Sequence, residues 1–408
     1  MSLKLDKIFD SIKENTIFKD KNVLQTNYSP ETILHREDQI NQIASILAPV
    51  LRGERTSNLF LYGNTGTGKT LSIQYVRSEL LKRAMIMNLG KGENKVKLRI
   101  EYLNCKLRKV SDTEYRILAE LIKQLGGEVP MTGLPTEAVY TRFVELVEKE
   151  KQVMILIFDE IDQAVKKISD NFLYTLTRLN SDLKNAQICL IGISNDLTFL
   201  EGLDPRVKSS LSEEELIFPP YNAVELQNIL KHRAEKAFQK GVLDEGVVSK
   251  CAAFAAREHG DARRALDLLR VAGELCEREN SKKIAFKHID MANEKIERDK
   301  VLDIIQTHPK QFQSVLFSII SLTEKNEGSF FTGDVYNKYQ DLCKEFKMDF
   351  LTQRRVGDIL QEFDMLGLIN ASVISKGRKG RMREIKLLIP KRVVEKAKDI
   401  ILNSLKYN

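Results

Sequence analysis

No two cysteines in this sequence form a CxxC pair: the five, Cys105, Cys189, Cys251, Cys276 and Cys343, are scattered and odd in number. Such spacing argues against a disulfide framework and against a zinc site, and it reads as reduced, structural thiols in a cytosol. Long apolar runs are lacking too. The longest, VMILIF at 153–158, falls far short of a bilayer span, and the opening MSLKLDKIFDSIKENTIFKD sets charges among its apolar residues where a signal peptide would have an unbroken core. A soluble, cytoplasmic protein with no membrane partner is expected. There is no internal repeat, and no low-complexity segment beyond one basic cluster near the C-terminus. In that cluster, SKGRKGRMREIK, acids are missing where cations crowd: Lys376, Arg378, Lys379, Arg381 and Arg383 fall within eight residues.

What is present is globular composition, 408 residues with 42% hydrophobic and 30% charged, which is enough for two or three domains with their own cores. The net charge of +7 is uneven. Residues 301–408 hold 18 Lys and Arg against 13 Asp and Glu, a surplus of +5 on the last quarter of the chain. A basic end on a nearly neutral body points to a nucleic-acid contact.

Residues 57–221 alternate short apolar runs (SNLFLYG, VKLRIEYLNC, VMILIFDE, AQICLIGISN, EELIFPP) with amphipathic stretches, the pattern of a parallel sheet covered on both faces. After Pro219-Pro220 the pattern is helical to about Lys300. From His308-Pro309 onward come three helical stretches, two strand-like runs, NASVIS and REIKLLIP, and a last helical stretch. The expected division is 1–221, 222–302 and 303–408.

Two motifs carry chemistry. Gly63-Asn64-Thr65-Gly66-Thr67-Gly68-Lys69-Thr70 follows a strand and opens a helix, the context a phosphate-binding loop needs. Its glycines let backbone N–H groups converge on phosphate oxygens, Lys69 reaches the β/γ-phosphates, and Thr70 offers a hydroxyl to Mg²⁺. The second is the strand ILIF, which ends in Asp159-Glu160-Ile161-Asp162. Acids on so apolar a strand belong where it leaves the sheet. There Asp159 would hold the magnesium and Glu160 would polarise the attacking water.

These motifs in this order resemble an AAA+ ATPase: an α/β P-loop domain, a small all-helical lid, and here a C-terminal winged helix. The resemblance implies ATP or ADP as the nucleotide. It casts Asn195 as the polar sensor on the fourth strand and Arg263 of GDARRALDLLR as the lid's sensor arginine. Arg206 of DPRVKSSL would be the finger that approaches ATP on a neighbouring subunit. Together with the Tyr28-Ser29-Pro30…His35-Arg36-Glu37-Asp38 lead-in, the set is similar to archaeal origin-recognition (Orc/Cdc-type) replication initiators over nearly the whole chain. That family implies Tyr28, His35, Arg36 and Tyr221 near the nucleotide, with the lead-in packed on the adenine, and an additional helical element within 111–149. It implies double-stranded origin DNA, the minichromosome-maintenance (MCM) helicase and homologous AAA+ initiator subunits as partners, a nucleoid-associated location, and slow, switch-like hydrolysis.

The third region stands on its own physics. Thr352 is a plausible N-cap for QRRVGDILQEFDMLGLI, whose start presents Gln353, Arg354 and Arg355 while Val356, Ile359, Leu360 and Phe363 form a buried stripe. That is what a recognition helix requires. The basic cluster is held between two strands as a wing tip, turned by Gly377 and Gly380, because Ile385, Leu387, Leu388 and Ile389 return toward a core. Its arginines would enter a minor groove or clamp phosphates. Two other readings stay open: a nucleotide-gated winged-helix transcription regulator, and a clamp-loader-like or chaperone ATPase acting on protein.

Overall fold

The computed structural model describes residues 16–89, 97–106, 113–130, 132–211, 213–325, 330–375 and 381–406. The chain divides into two compact units, Met1–Ile289 and Asp290–Asn408. No helix among the described residues is long and apolar enough to cross a membrane.

In the first unit five strands, β1 (Asn58–Tyr62), β2 (Lys97–Asn104), β3 (Gln152–Asp159), β4 (Ala186–Ser194) and β5 (Glu213–Ile217), form a sheet in the order β2-β3-β4-β1-β5, every adjacent pair parallel. Strand β3 shows why the apolar runs are continuous. Met154, Leu156 and Phe158 point into one core, whereas Val153, Ile155 and Ile157 point into the other. The first core is roofed by α3 (Glu114–Gln124), α4 (Thr136–Glu148), α5 (Ile161–Ile168), α6 (Asn171–Asp182) and α7 (Pro205–Leu211); the second by α1 (Glu37–Leu47) and α2 (Lys69–Leu89). A strand buried on both faces has no polar side to show. The edge strand β5 differs, opening on Glu213-Glu214-Glu215 with Glu214 and Glu215 exposed, a common way to discourage pairing of an open edge. Because all five strands run the same way, the loop after β1, the acids after β3 and the residue after β4 meet at one end of the sheet.

The same unit continues into helices α8 (Ala223–Ala237), α9 (Val247–Arg257), α10 (Ala262–Arg278) and the start of α11 (Phe286–Thr307). Helix α8 begins in a capping box, in which the Asn222 side chain accepts from Val224 and Glu225 N–H while the Glu225 carboxylate accepts from Asn222 N–H. Helix α11 ends where Pro309 cannot continue it.

The second unit holds α12 (Lys310–Lys325), β6 (Phe330–Phe331), α13 (Thr332–Glu345), α14 (Gln353–Met365), β7 (Ile369–Ser375), β8 (Arg381–Leu387) and α15 (Lys391–Lys406), with an antiparallel sheet ordered β6-β8-β7. This is a winged helix. Val356, Ile359, Leu360 and Phe363 of α14 and Ile385 and Ile389 after the wing share one core. Leu388 departs from the expectation: its side chain is exposed, while its backbone N–H bonds to Leu368 O at 2.9 Å. Of the expected wing-tip cations, Lys376, Arg378 and Lys379 lie outside the described residues, as do Gly377 and Gly380.

Candidate functional site

The loop after β1 and helix α2 build one wall of a cleft of about 660 Å³, a volume suited to a nucleotide. Thr65, Gly66, Thr67, Gly68, Lys69 and Thr70 line it, together with Tyr28, Asp159, Glu160, Asn195, Tyr221 and Arg263. Gly66 and Gly68 have left-handed φ angles of 72° and 92°, and neither site has room for a side chain: an added Cβ would come within 1.7 Å of Asp261 Oδ1 at the first and 2.8 Å of the Tyr221 hydroxyl at the second.

Lys69 is 5% exposed, and its ammonium donates to Gly63 O at 2.6 Å, Asn64 O at 2.8 Å and Asn195 Oδ1 at 2.9 Å. Gly63 and Asn64 therefore act through their carbonyls. Burial lowers the Lys69 pKa to about 8; Asp159 works against that shift and Arg263 adds to it. A cation so short of water is primed for an anion.

The Asp159 carboxylate is buried and accepts twice on Oδ2, from the Thr70 hydroxyl at 2.9 Å and from the Tyr102 hydroxyl at 2.7 Å. One hydroxyl and one carboxylate, both hard oxygen donors beside a phosphate loop, fit Mg²⁺, which retains waters and phosphate oxygens as its other ligands. Next to it Glu160 is held at φ 55°, ψ 44°, a left-handed conformation that costs a non-glycine residue about 1 kcal/mol or more. Its Oε2 lies 3.7 Å from Lys106 Nζ. The second acid, Asp162, is buried and accepts from Ser194 Oγ at 3.3 Å and Gln163 Nε2 at 2.8 Å, tying the turn after β3 to the end of β4.

The helical part closes on this loop. Asp261 caps α10, accepting from Arg263 N–H at 2.7 Å and Arg264 N–H at 3.3 Å, and it also takes the Thr65 hydroxyl at 3.4 Å. Ala262 N–H reaches Gly66 O at 3.3 Å. Arg263 is exposed in the cleft, whereas Arg264 turns to Glu258 at 3.0 Å.

Of the lead-in residues, Tyr28 lines the cleft with the buried Arg233 stacked on its ring at 4.5 Å. His35 and Arg36 are not among the lining residues. Arg36 is 2% exposed and acts as a strut: Nε donates to Thr67 O at 2.8 Å, Nη1 to His35 O at 2.7 Å and Nη2 to Pro219 O at 2.5 Å, while the guanidinium lies 3.7 Å from the Tyr221 ring centroid. His35 Nε2 sits 3.3 Å from Asn228 Nδ2. Arg206 is also away from the cleft; its side chain is 83% exposed and grips Asp204 through Nε at 3.1 Å and Nη2 at 3.0 Å. Sequence reasoning missed Tyr102, Asn104, Arg233 and Asp261. The one signal available was Tyr102-x-Asn104 at the end of β2, in register with Ile157 and Asp159.

In the second unit Thr352 caps α14 by accepting Arg355 N–H at 3.4 Å, and Thr352, Gln353, Arg354 and Arg355 are all exposed at its first turn. Arg355 Nη1 lies 3.5 Å from Asp358 Oδ2. On the wing strand, Arg381 pairs by backbone with Ser375, and its side chain is outside the described residues; Arg383 Nη1 approaches Gly357 O at 3.5 Å, beneath that first turn.

Family models match three stretches: an AAA domain at 52–200, a Cdc6 AAA+ ATPase-type lid domain at 227–294, and a CDC6 C-terminal winged-helix domain at 303–397. An ORC1-type DNA replication protein of Pyrococcus furiosus is 49% identical over 94% of this chain and 90% of its own length. ORC1-type DNA replication protein 1 of Methanosarcina mazei is 50% identical over 98% and 94%. The Aeropyrum pernix ORC1 protein, solved in complex with DNA, superposes with a TM-score of 0.83 at 42% identity, covering 96% of this chain and all of that one. With half of its residues shared across almost the full length, this chain belongs to the family of ORC1-type DNA replication proteins.

Proposed function

We propose that the protein initiates DNA replication by binding origin duplex DNA through its winged helix and the α3–α4 pair, and by recruiting the MCM helicase, with ATP as the switch. One observation carries this reading: a phosphate loop, a strand-end carboxylate and a lid helix converge on one cleft, in a chain whose Aeropyrum relative at 42% identity is solved with DNA. Residues 1–221 act as the base, 222–302 as the lid and 303–408 as the DNA-binding domain.

In this reading Lys69, the loop amides and Arg263 hold the phosphates, and Thr70 and Asp159 hold Mg²⁺, whose charge neutralises that building up on the transferring group. Glu160 orients and deprotonates the water, with Asn195 fixing its position. Tyr28 packs at the base end of the cleft. Arg206 reaches into the site of a neighbouring AAA+ initiator subunit, so a lone monomer turns over slowly and is purified with ADP. Loss of the γ-phosphate removes the partner that Lys69 and Arg263 share, and the lid relaxes. Gln353, Arg354 and Arg355 meet base edges and phosphates, while Lys376, Arg378, Lys379, Arg381 and Arg383 clamp the backbone beside them. The protein works in the cytoplasm, on the nucleoid.

Genome-wide occupancy compared with replication start points tests the whole. Coincidence with start points, together with ATP-dependent retention of MCM on bound duplex, is expected. Promoter-restricted protection without helicase retention would instead identify a nucleotide-gated transcription regulator.

A further inference from the structure

The turn between α13 and α14 is anchored on both sides of one outward-facing aromatic. Helix α13 closes with Lys347 at φ 51° and Met348 N–H on Cys343 O at 2.8 Å, the pattern that fixes a helix end in place. The next residues are tied down by side chains of α12 and of α13 itself. Gln311 Nε2 donates to Asp349 O at 2.7 Å. The buried Tyr339 hydroxyl accepts Leu351 N–H at 3.0 Å and donates to Gln311 Oε1, and the Tyr336 hydroxyl donates to Leu351 O at 3.2 Å. Thr352 then caps α14. Between these anchors the Phe350 ring stands 51% exposed. Among the described residues, Phe350 is not one of those that form the core of this unit.

We propose that Phe350 reads sequence, its ring meeting the C5-methyl of a thymine in the major groove of duplex DNA. The proposal rests on the reading that α14 enters the duplex. Phe350 stands two residues before the exposed run Thr352, Gln353, Arg354 and Arg355, which sets an exposed aromatic beside the helix's first turn. The flanking acids are Asp349, exposed on the N-terminal side, and Asp358, which pairs with Arg355. A phenyl ring has neither donor nor acceptor, and on the major-groove edges of the four base pairs the thymine methyl is the apolar feature that complements it. The cations give affinity by charge and fix position; the ring adds a preference they do not supply. Because its backbone is already fixed, little ordering entropy is lost when it docks.

The test uses the full chain and a duplex enriched by that chain from a randomised library. Deoxyuridine replaces thymidine one position at a time, and binding is read by fluorescence anisotropy. The wild type should weaken about fourfold at one position in the bound site, the worth of one buried methyl group. Phe350→Ala should bind the thymidine duplex that much more weakly and be indifferent to the replacement at that position. Phe350→Leu, which keeps an apolar tip, should retain part of the discrimination. Unchanged discrimination in Phe350→Ala overturns the proposal, as does an equal loss on every duplex at an unchanged melting temperature. Arg354→Ala separates the two readings: it should lower affinity for all duplexes alike, and if it binds as the wild type does, α14 does not enter the duplex and both readings fall together.

Discussion

Both units of the chain carry cations that the proposed function assigns to phosphate, in opposite surroundings. Lys69 sits in a cradle of carbonyls with almost no water, while Arg354 and Arg355 stand at an exposed helix start. The buried cation is already desolvated, so an anion that reaches it gains nearly the full strength of the contact. The exposed arginines gain less each and lose it to salt. On the proposed function, the cleft suits a small ligand held tightly and the winged helix a long one held by many weak contacts.

Four experiments break or sharpen this contrast. Glu160→Gln should lower ATP turnover by about 10²–10⁴-fold and leave ADP affinity unchanged, as single-turnover kinetics beside calorimetry would register; normal turnover would remove Glu160 from the chemistry. Lys69→Ala should weaken ATP binding about a hundredfold, roughly 3 kcal/mol, and the wild-type affinity should change little between low and moderate salt. For DNA the salt response should be steep. In Arg354→Ala/Arg383→Ala the slope of log affinity against log salt should fall by about one for each cation removed, and an unchanged slope would mean that these side chains do not touch phosphate. The smallest effect is expected of Asp261→Ala, which deletes the cap of α10 and the Thr65 contact: about 1 kcal/mol, or a few degrees in melting temperature.

What the sequence revealed follows a physical line. GNTGTGKT and DEID were legible because each is a local device: glycines needed for backbone approach, and acids at the end of a strand that otherwise tolerates none. The winged helix was legible for the same reason, through the stripe from Val356 to Phe363 and the residues that follow the wing. Long-range partners were not. Arg36 looked like a neighbour of the base because it lies in the lead-in, but its carbonyl partners Thr67 and Pro219 are 31 and 183 residues away, and no local pattern announces a guanidinium used as a strut. Asp261 reads like any helix cap until its second partner, Thr65, 196 residues distant, is known. Tyr102 lies on a strand whose polar residues look like ordinary surface, and only the register of β2 against β3 carries it to Asp159. Leu388 shows the reverse: an apolar residue in a strand-like run that packing left outside.

The glutamates of β5 bear on how copies of this protein gather. Two such margins laid side by side would set one row of carboxylates against another, and that repulsion would count against an amide ladder between them. A β5 margin is therefore a poor place for two copies to join sheet to sheet.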